Sequence, residues 1–369
     1  MTTTAASTTS TDAVATSGEN LSAYQRVIRM QAFQILLVLI GIIIVFAALA
    51  PDTFASLGNA RLIAQNASIL AILGVGMTFV IITSGIDLSI GSVMVFSGVI
   101  SAKLMISVGG DGWGTAFLGI ITAVVVGLLW GALNGFLIAK AKIPPLIVTL
   151  GSLGMALGLA QILTKGVDIR TVPLVMQTKI GYGNVFGQVP VLTVIALVVI
   201  LLGMVLLHFT RFGRYTYAIG SNEESARRVG VRVDAHLIKI YALSGLLAGF
   251  AGVLSLAQFS TTAIAGQTQT NLNVIAAVVI GGTSLFGGVG TIFGTVVGLF
   301  IPAVLQNGFV IVGIQPFWQQ VAVGAVLIAA VYVDQVRRAS AARGRNTRTL
   351  FRTRSRKTPH RGSPEGDAA

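Results

Sequence analysis

Residues 84–92 have the sequence Ser-Gly-Ile-Asp-Leu-Ser-Ile-Gly-Ser and join two long apolar segments. They place one carboxylate, Asp87, and several hydroxyl groups between glycines. An ionisable group near membrane depth is costly, and glycine-interrupted apolar segments commonly form polar sites inside helix bundles. The stretch therefore predicts a break between two membrane helices beside a solute pathway. A second interpretation is that Asp87 or Ser89 only caps a helix that starts near Gly91, since Asp and Ser are favoured there.

The composition indicates an all-α polytopic membrane protein. Hydrophobic residues make up 54% of the 369 residues and charged residues only 10%, whereas a soluble domain has about 25% charged residues. The 44 glycines predict close helix packing, because small residues let membrane helices approach each other. The absence of cysteine excludes disulfides and thiolate metal sites, and the three histidines match no zinc spacing.

The apolar segments predict about ten transmembrane helices, because about 20 apolar residues cross a bilayer. The predicted spans lie near residues 32–50, 62–83, 91–108, 114–138, 146–164, 190–209, 237–258, 272–286, 289–307 and 317–335. Two glycine-rich interruptions, 84–92 and 281–288, divide the apolar segments. The second one also fits a re-entrant hairpin lined by protein.

The distribution of charge predicts the domains and their orientation. Residues 1–31 form a polar N-terminal segment expected to be disordered, residues 32–335 form the transmembrane domain, and residues 336–369 form a disordered basic tail. Most Lys and Arg residues flank predicted inner connections or lie in the tail, so both termini are expected to be cytoplasmic. Because the basic residues are placed in this way, the net charge of +13 does not indicate that the chain binds nucleic acid.

The longest predicted inner connection is residues 210–236. Its middle runs from Asn222 through two acids to two arginines and Gly230. This order predicts a short helix that begins with an Asn or Ser cap, is aligned with its own dipole and is stopped by Gly230. On charge alone, a solvated connector that obeys the positive-inside rule is the favoured interpretation of the segment.

Several motifs of the chain resemble those of one transporter family. Glu224-Ser225-Ala226, followed after three residues by Gly230, resembles the E-A-A-x-x-x-G coupling motif of ATP-binding-cassette (ABC) importer permeases. Further motifs resemble the ribose/xylose-type monosaccharide permease family in the same order, namely those at Gly85–Ser92, Leu133–Gly135, Pro144–Gly151, Leu243–Gly252 and Ile275–Ser284. The resemblance extends from about Ala60 to Asp334.

The resemblance implies a permease subunit in the plasma (inner) membrane of a prokaryote. In this family, two permease subunits, identical or different, form one pathway for a monosaccharide that an extracytoplasmic binding protein delivers. A separate ATPase subunit binds ATP and Mg. The chain itself has no G-x-x-x-x-G-K-[ST] phosphate-binding loop, so it is predicted to be a transport subunit without a cofactor and not an enzyme.

Three groups of residues are candidate sites. The ATPase-coupling segment consists of Glu223, Glu224, Ser225, Ala226, Arg227, Arg228 and Gly230. The pathway candidates are the polar residues Asp87, Ser89, Asn134, Thr149, Gln161, Gln267, Asn271, Asn273 and Thr283. Binding-protein docking is predicted for the basic residues of the outer loop 165–190, which are Lys165, Arg170 and Lys179. Asn271 and Asn273 stand where relatives often carry carboxylates, a departure that bears on which solute is bound.

The alternative function is an ion-coupled secondary transporter of a small polar solute. Such proteins place ionisable residues inside their spans as ion relays, and the candidates here are Asp87 and Lys103. A passive channel, which needs no coupling loop, is a third possibility. The coupling-type motif favours the ATP-driven importer over both.

Overall fold

The structure is a computed structural model that describes residues 31–264, 269–315 and part of the segment 317–335. The predicted N-terminal segment, apart from Gln31, and the predicted basic tail lie outside the described residues, as does Gln267. The helices are α1 (Gln31–Leu49), α2 (Pro51–Phe54), α3 (Leu57–Ile82), α4 (Ile90–Val108), α5 (Trp113–Ala139), α6 (Pro145–Thr164), α7 (Val191–Phe209), α8 (Arg211–Ser221), α9 (Glu223–Arg228), α10 (Val233–Phe259), α11 (Thr270–Ile280) and α12 (Ile292–Val312).

Strand structure in the described chain is confined to the outer loop. There, a π-helical turn (Met176–Gly181) precedes a short hairpin of β1 (Asn184–Val185) and β2 (Val189–Pro190). The two strands are antiparallel, and Asn184 pairs with Pro190.

In the described part of the chain, seven helices are long and apolar enough to cross a membrane, namely α3, α4, α5, α6, α7, α10 and α12. Shorter apolar stretches lie in α1 and α11, and the described residues between 317 and 335 are helical. The predicted all-α polytopic architecture is confirmed. The count of ten spans and the cytoplasmic location of the termini stay predictions.

Helix α10 packs against α3, α4 and α5 and is buried over most of its length. Its closest neighbour is α5, because glycines on both helices bring the two backbones into contact. A methyl group added at Gly131 of α5 would overlap the carbonyl oxygen of Tyr241, and one added at Gly127 would overlap that of Gly245. Glycine is therefore required at this crossing by the close approach of the backbones.

The two glycine-rich breaks meet at one end of the bundle. The first separates α3 from α4, and the second separates α11 from α12. Gly288 N–H donates to the Ile82 carbonyl (2.8 Å), and Ser84 Oγ donates to the Phe286 carbonyl (2.9 Å). The first break is thereby attached to the second.

Helix α8 lies against both breaks. Gly220, near its C-terminal end, packs so closely on the Ile82 carbonyl and the Gly288 amide that no larger residue has room. Tyr217 Oη donates to the Gly290 carbonyl (2.7 Å). Burial raises the pKa of the Tyr217 hydroxyl, which keeps this donor protonated at neutral pH.

The α5–α10 contact predicts that Gly131→Ala destabilises the protein while Gly41→Ala does not. The added methyl group at residue 131 would collide with the backbone of α10, whereas a methyl group at residue 41 would meet no described atom within 4 Å. Overpacking of this kind costs about 1–3 kcal/mol. Thermal unfolding of the two variants in the same detergent is the measurement, and equal melting temperatures would contradict the proposed backbone contact.

Candidate functional site

Asp87 is buried in the break between α3 and α4, with only 3% of its surface exposed. Its Oδ1 atom accepts hydrogen bonds from the Ser89 amide (3.0 Å) and the Ser89 hydroxyl (2.6 Å). Its Oδ2 atom accepts a hydrogen bond from the hydroxyl of Ser244 on α10 (3.0 Å). Buried polar groups must be hydrogen-bonded to be tolerated, and these three bonds tie the break to the central helix.

Side chains from three further helices hold the same break. Each makes one hydrogen bond to it: Asn134 of α5 donates to Ser89 Oγ (3.0 Å), Thr149 of α6 donates to the Ile86 carbonyl (3.1 Å), and Asn271 of α11 accepts from the Gly91 amide (2.6 Å). Five of the predicted pathway residues are therefore brought together around residues 86–91. The hydrogen bonds of these five residues are made to other protein groups in and around the break, and they hold the break in its conformation.

The start of α4 is capped by another helix. Ser89 occupies the N-cap position, but its side chain makes no capping hydrogen bond. The free amide of Gly91 in the first turn is instead satisfied by Asn271, which lies 180 residues away in sequence. The interpretation that the Ser89 side chain caps α4 is therefore wrong. Asp87 bonds to Ser89 and Ser244 and caps no amide of the first turn of α4.

The other pathway candidates lie apart from this cluster. Gln161 is exposed on α6, and Asn273 is half-buried on α11. Thr283 is buried in the second break, beside Gly290. Its hydroxyl has no hydrogen-bond partner in the described part of the chain. A pathway role for any of the candidates stays a prediction.

Two residues of α10 belong to the site but were missed by sequence analysis. Ser244 binds Asp87 directly. Tyr241 is fully buried and places its hydroxyl against Gly85, without a partner among the described residues. Both lie in an apolar helix, where a single Ser or Tyr looks like ordinary packing. The signal that could have found Ser244 is its place next to Gly245 in the family motif Leu243–Gly252.

The predicted short helix of the inner loop is confirmed as α9. Asn222 Oδ1 accepts from the Ser225 amide (2.8 Å) and caps the helix. Gly230 adopts a left-handed conformation (φ 87°) after its end. Ala226 is buried between α8 and α10, whereas the charged residues of α9 are exposed. Val229, which sequence analysis did not select, is 79% exposed and adds an apolar side chain to this surface.

Asp234 joins three segments at the end of the bundle where α9 lies, and it was also missed by sequence analysis. Its carboxylate pairs with Arg227 of α9, with Lys142 (3.1 Å) and with Lys140 (3.5 Å). Hydrogen bonds to Asp234 and then to Glu223 raise the pKa of Arg227 above its usual value. The guanidinium is therefore charged throughout the physiological range.

The outer loop that follows α6 is held in place by acidic side chains. Asp168 Oδ1 accepts from the Thr262 hydroxyl and the Ile264 amide (both 2.8 Å), which fastens the loop to the segment after α10. Asp111 Oδ1 accepts from the Leu174 amide (3.3 Å). The loop carries Lys165, Arg170 and Lys179, and all three are exposed. The three basic residues therefore sit on an ordered outer surface.

The bundle of long apolar helices, the buried polar break and the exposed coupling-type helix define a multi-pass membrane permease. The chain belongs to the family described as the permease component of the branched-chain amino acid transport system, whose model matches residues 59–331. This class of protein resides in the plasma membrane. No solved structure matches the chain.

Curated relatives of the chain are sugar import permeases. The ribose import permease of Escherichia coli K12 is 36% identical over 303 residues, which is 81% of this chain and 92% of the relative. The ribose import permease of Bacillus subtilis 168 is 37% identical, covering 80% of this chain and 89% of the relative. The fructose import permease of Rhizobium meliloti is 36% identical, covering 81% of this chain and 84% of the relative.

The geometry around Asp87 predicts different effects for two substitutions. Asp87→Ala leaves the Ser89 amide and the Ser244 hydroxyl unpaired, at about 1–3 kcal/mol for each buried group. Asp87→Asn retains an oxygen for Ser89, and its amide can donate to Ser244 Oγ, so its loss is smaller. The melting temperature measured by thermal unfolding in detergent should be highest for the wild type, lower for Asp87→Asn and lowest for Asp87→Ala. Asp52→Ala, which removes an exposed acid, is the control, and equal melting temperatures for all variants would contradict the network.

Proposed function

We propose that the chain is the membrane-spanning permease subunit of an ABC importer that translocates a monosaccharide. The observation that carries this proposal is the similarity over about four-fifths of the chain to permeases named for ribose and fructose import. None of the names of these relatives denotes an ion-coupled transporter. In the proposed arrangement, both termini are cytoplasmic and ten spans cross the membrane, so the two breaks and α9 lie at the inner face.

Helix α9 is the proposed contact for a separate ATPase that binds ATP and Mg. Its outward side exposes Glu224, Arg228 and Val229, which provides both charges and an apolar anchor. Its inward side is fastened by Ala226 and by the Arg227–Asp234 pair. A short helix held on one side and exposed on the other is suited to receive a movement from a soluble partner.

The outer loop is the proposed contact for an extracytoplasmic binding protein. Lys165, Arg170 and Lys179 add three positive charges to a loop that Asp168 holds in place. Charges at the rim of an interface mainly accelerate association. A preformed basic surface therefore suits repeated docking of an acidic partner that arrives with a sugar and leaves without it.

A second permease subunit, identical or different, completes the proposed pathway. Helix α6 supports this part of the proposal, because Gly151, Gly154 and Gly158 have no described atom within 4 Å of a would-be side chain. Glycines elsewhere in the bundle mediate close helix contacts, and small residues favour such contacts in membranes. A helix of the second subunit would use this face in the same way.

The pathway residues are proposed to act through the break at Asp87. The buried network holds the loop of residues 86–91 in one conformation, and the loop lies where α3 and α4 meet the inner face. Asn271 supplies a neutral oxygen to this network, so the chain avoids a second buried carboxylate beside Asp87.

The importer proposal predicts ATP-dependent sugar uptake by a reconstituted complex. The chain is co-expressed with the ATPase and the binding protein of the proposed importer, and the purified complex is placed in proteoliposomes with radiolabelled D-ribose, D-fructose or D-allose. Uptake of at least one sugar should require ATP and the binding protein. Asp87→Ala should lose nearly all uptake, and Asp87→Asn only part of it, while both retain the ATPase. Uptake driven by a proton or sodium gradient without ATP would refute the proposal.

The left-handed conformation of Gly230 predicts a specific effect of its substitution on coupling. Gly230→Val forces a β-branched residue into this conformation at a cost of about 1–2 kcal/mol and should reduce both ATPase co-purification and uptake. Gly230→Asn is the matched control, because Asn tolerates the left-handed region. No described atom crowds residue 230, so a difference between the variants reports on backbone conformation. Wild-type ATPase binding by Gly230→Val would contradict the coupling assignment.

A further inference from the structure

The ion pairs of the inner face converge on one residue. Five ion pairs connect the described residues, and two of them are confined to α9. The other three join different segments, and all three end on the carboxylate of Asp234: Arg227 from α9, and Lys140 and Lys142 from the connection between α5 and α6. Asp234 is therefore the residue through which α9 is ionically attached to the membrane helices.

A stabilising role does not explain this arrangement well. Lys140 and Lys142 are more than half exposed, and single exposed ion pairs contribute only about 0–1 kcal/mol. What the cluster does provide is a defined position for α9, because three cations from two segments share one acceptor. The carboxylate also lies in the first turn of α10, where the helix dipole favours a negative charge.

Helix α10 connects Asp234 to the buried break. Ser244, which donates to Asp87, lies ten residues further along the same helix, about 15 Å at the rise of an α-helix. Between the two residues the helix is uninterrupted and is clamped to α5 by the glycine contact at Gly131. A displacement of the Asp234 end is therefore transmitted to Ser244 by a rigid element.

Helix α9 also reaches the break by a second route, through α8. Asn222 joins α9 to α8, and Gly220 of α8 lies on the Ile82 carbonyl at the end of α3. The α8 route reaches the side of the break at Ile82, and the α10 route reaches the side at Asp87. Helix α9 is thus connected to both sides of the same loop. Asp234 adds ion pairs to the α10 route only, which also includes residues 229–232 and the packing of Ala226.

We propose that Asp234 is a positioning residue that transmits the movement of α9 to α10, and through Ser244 to the break at Asp87. The inference rests on the proposed function, in which α9 receives its movement from the ATPase. Removing the charge of Asp234 abolishes the ion pair between α9 and α10, so that only residues 229–232 and the packing of Ala226 connect the two helices, and it leaves the exposed face of α9 intact. ATP hydrolysis then continues without moving the break fully, so the importer becomes uncoupled.

The test measures sugar molecules transported per ATP hydrolysed by the full complex in proteoliposomes, with D-ribose as the probe. Asp234→Asn should lower this ratio about fivefold or more, the lower end of typical coupling between sites, with unchanged ATPase co-purification. Asp234→Glu should keep the wild-type ratio of sugar transported to ATP hydrolysed, because it retains the negative charge. Lys239→Gln, which removes an exposed charge one turn further along α10, is the matched control and should leave the ratio unchanged.

A double-mutant cycle separates transmission from a general structural effect. If Lys142 acts through Asp234, Asp234→Asn combined with Lys142→Gln should be no more uncoupled than Asp234→Asn alone, because contacting residues are not additive. A wild-type ratio for Asp234→Asn, additive effects in the cycle or loss of the ATPase from Asp234→Asn would each overturn the inference. Failure of the proposed function is distinct, since the wild-type chain would then bind no ATPase.

Discussion

The carboxyl group of Asp87 is the constraint on which the arrangement of the bundle depends. It is removed from water at the meeting point of two helices, and a buried polar group of this kind must find partners inside the protein. Ser89 satisfies one oxygen within the loop, and Ser244 satisfies the other from α10. The break and the central helix can therefore not move independently without exposing or unpairing this group.

Helix α10 connects the buried carboxyl group of Asp87 to distant parts of the membrane domain. Its glycines lock it against α5, its middle holds Asp87 through Ser244, and its first turn carries Asp234 beside α9. A helix that is rigid and buried transmits displacement along its axis better than a loop does. The same element thus supports the polar break and receives the ionic attachment of α9.

Two surface segments of the protein are organised by the same physical means. On the outer side, Asp168 binds the Thr262 hydroxyl and the Ile264 amide and holds a basic loop in place. On the inner side, Asp234 gathers three cations from two segments. In both cases one carboxylate organises a surface loop.

Local sequence determined those features of the protein that depend on neighbouring residues. Apolar runs gave the positions of the long helices, glycine-rich stretches marked both breaks, and Asn222 with Gly230 bounded α9, because capping and backbone conformation act over a few residues. Tertiary structure alone decided the partners of the polar groups. Asn271 meets Gly91 across 180 residues and Ser244 meets Asp87 across 157, while Lys140, Lys142 and Arg227 converge on Asp234 from two segments. No local pattern encodes such pairs, since they form only after packing has excluded water and left each buried group to find its partner.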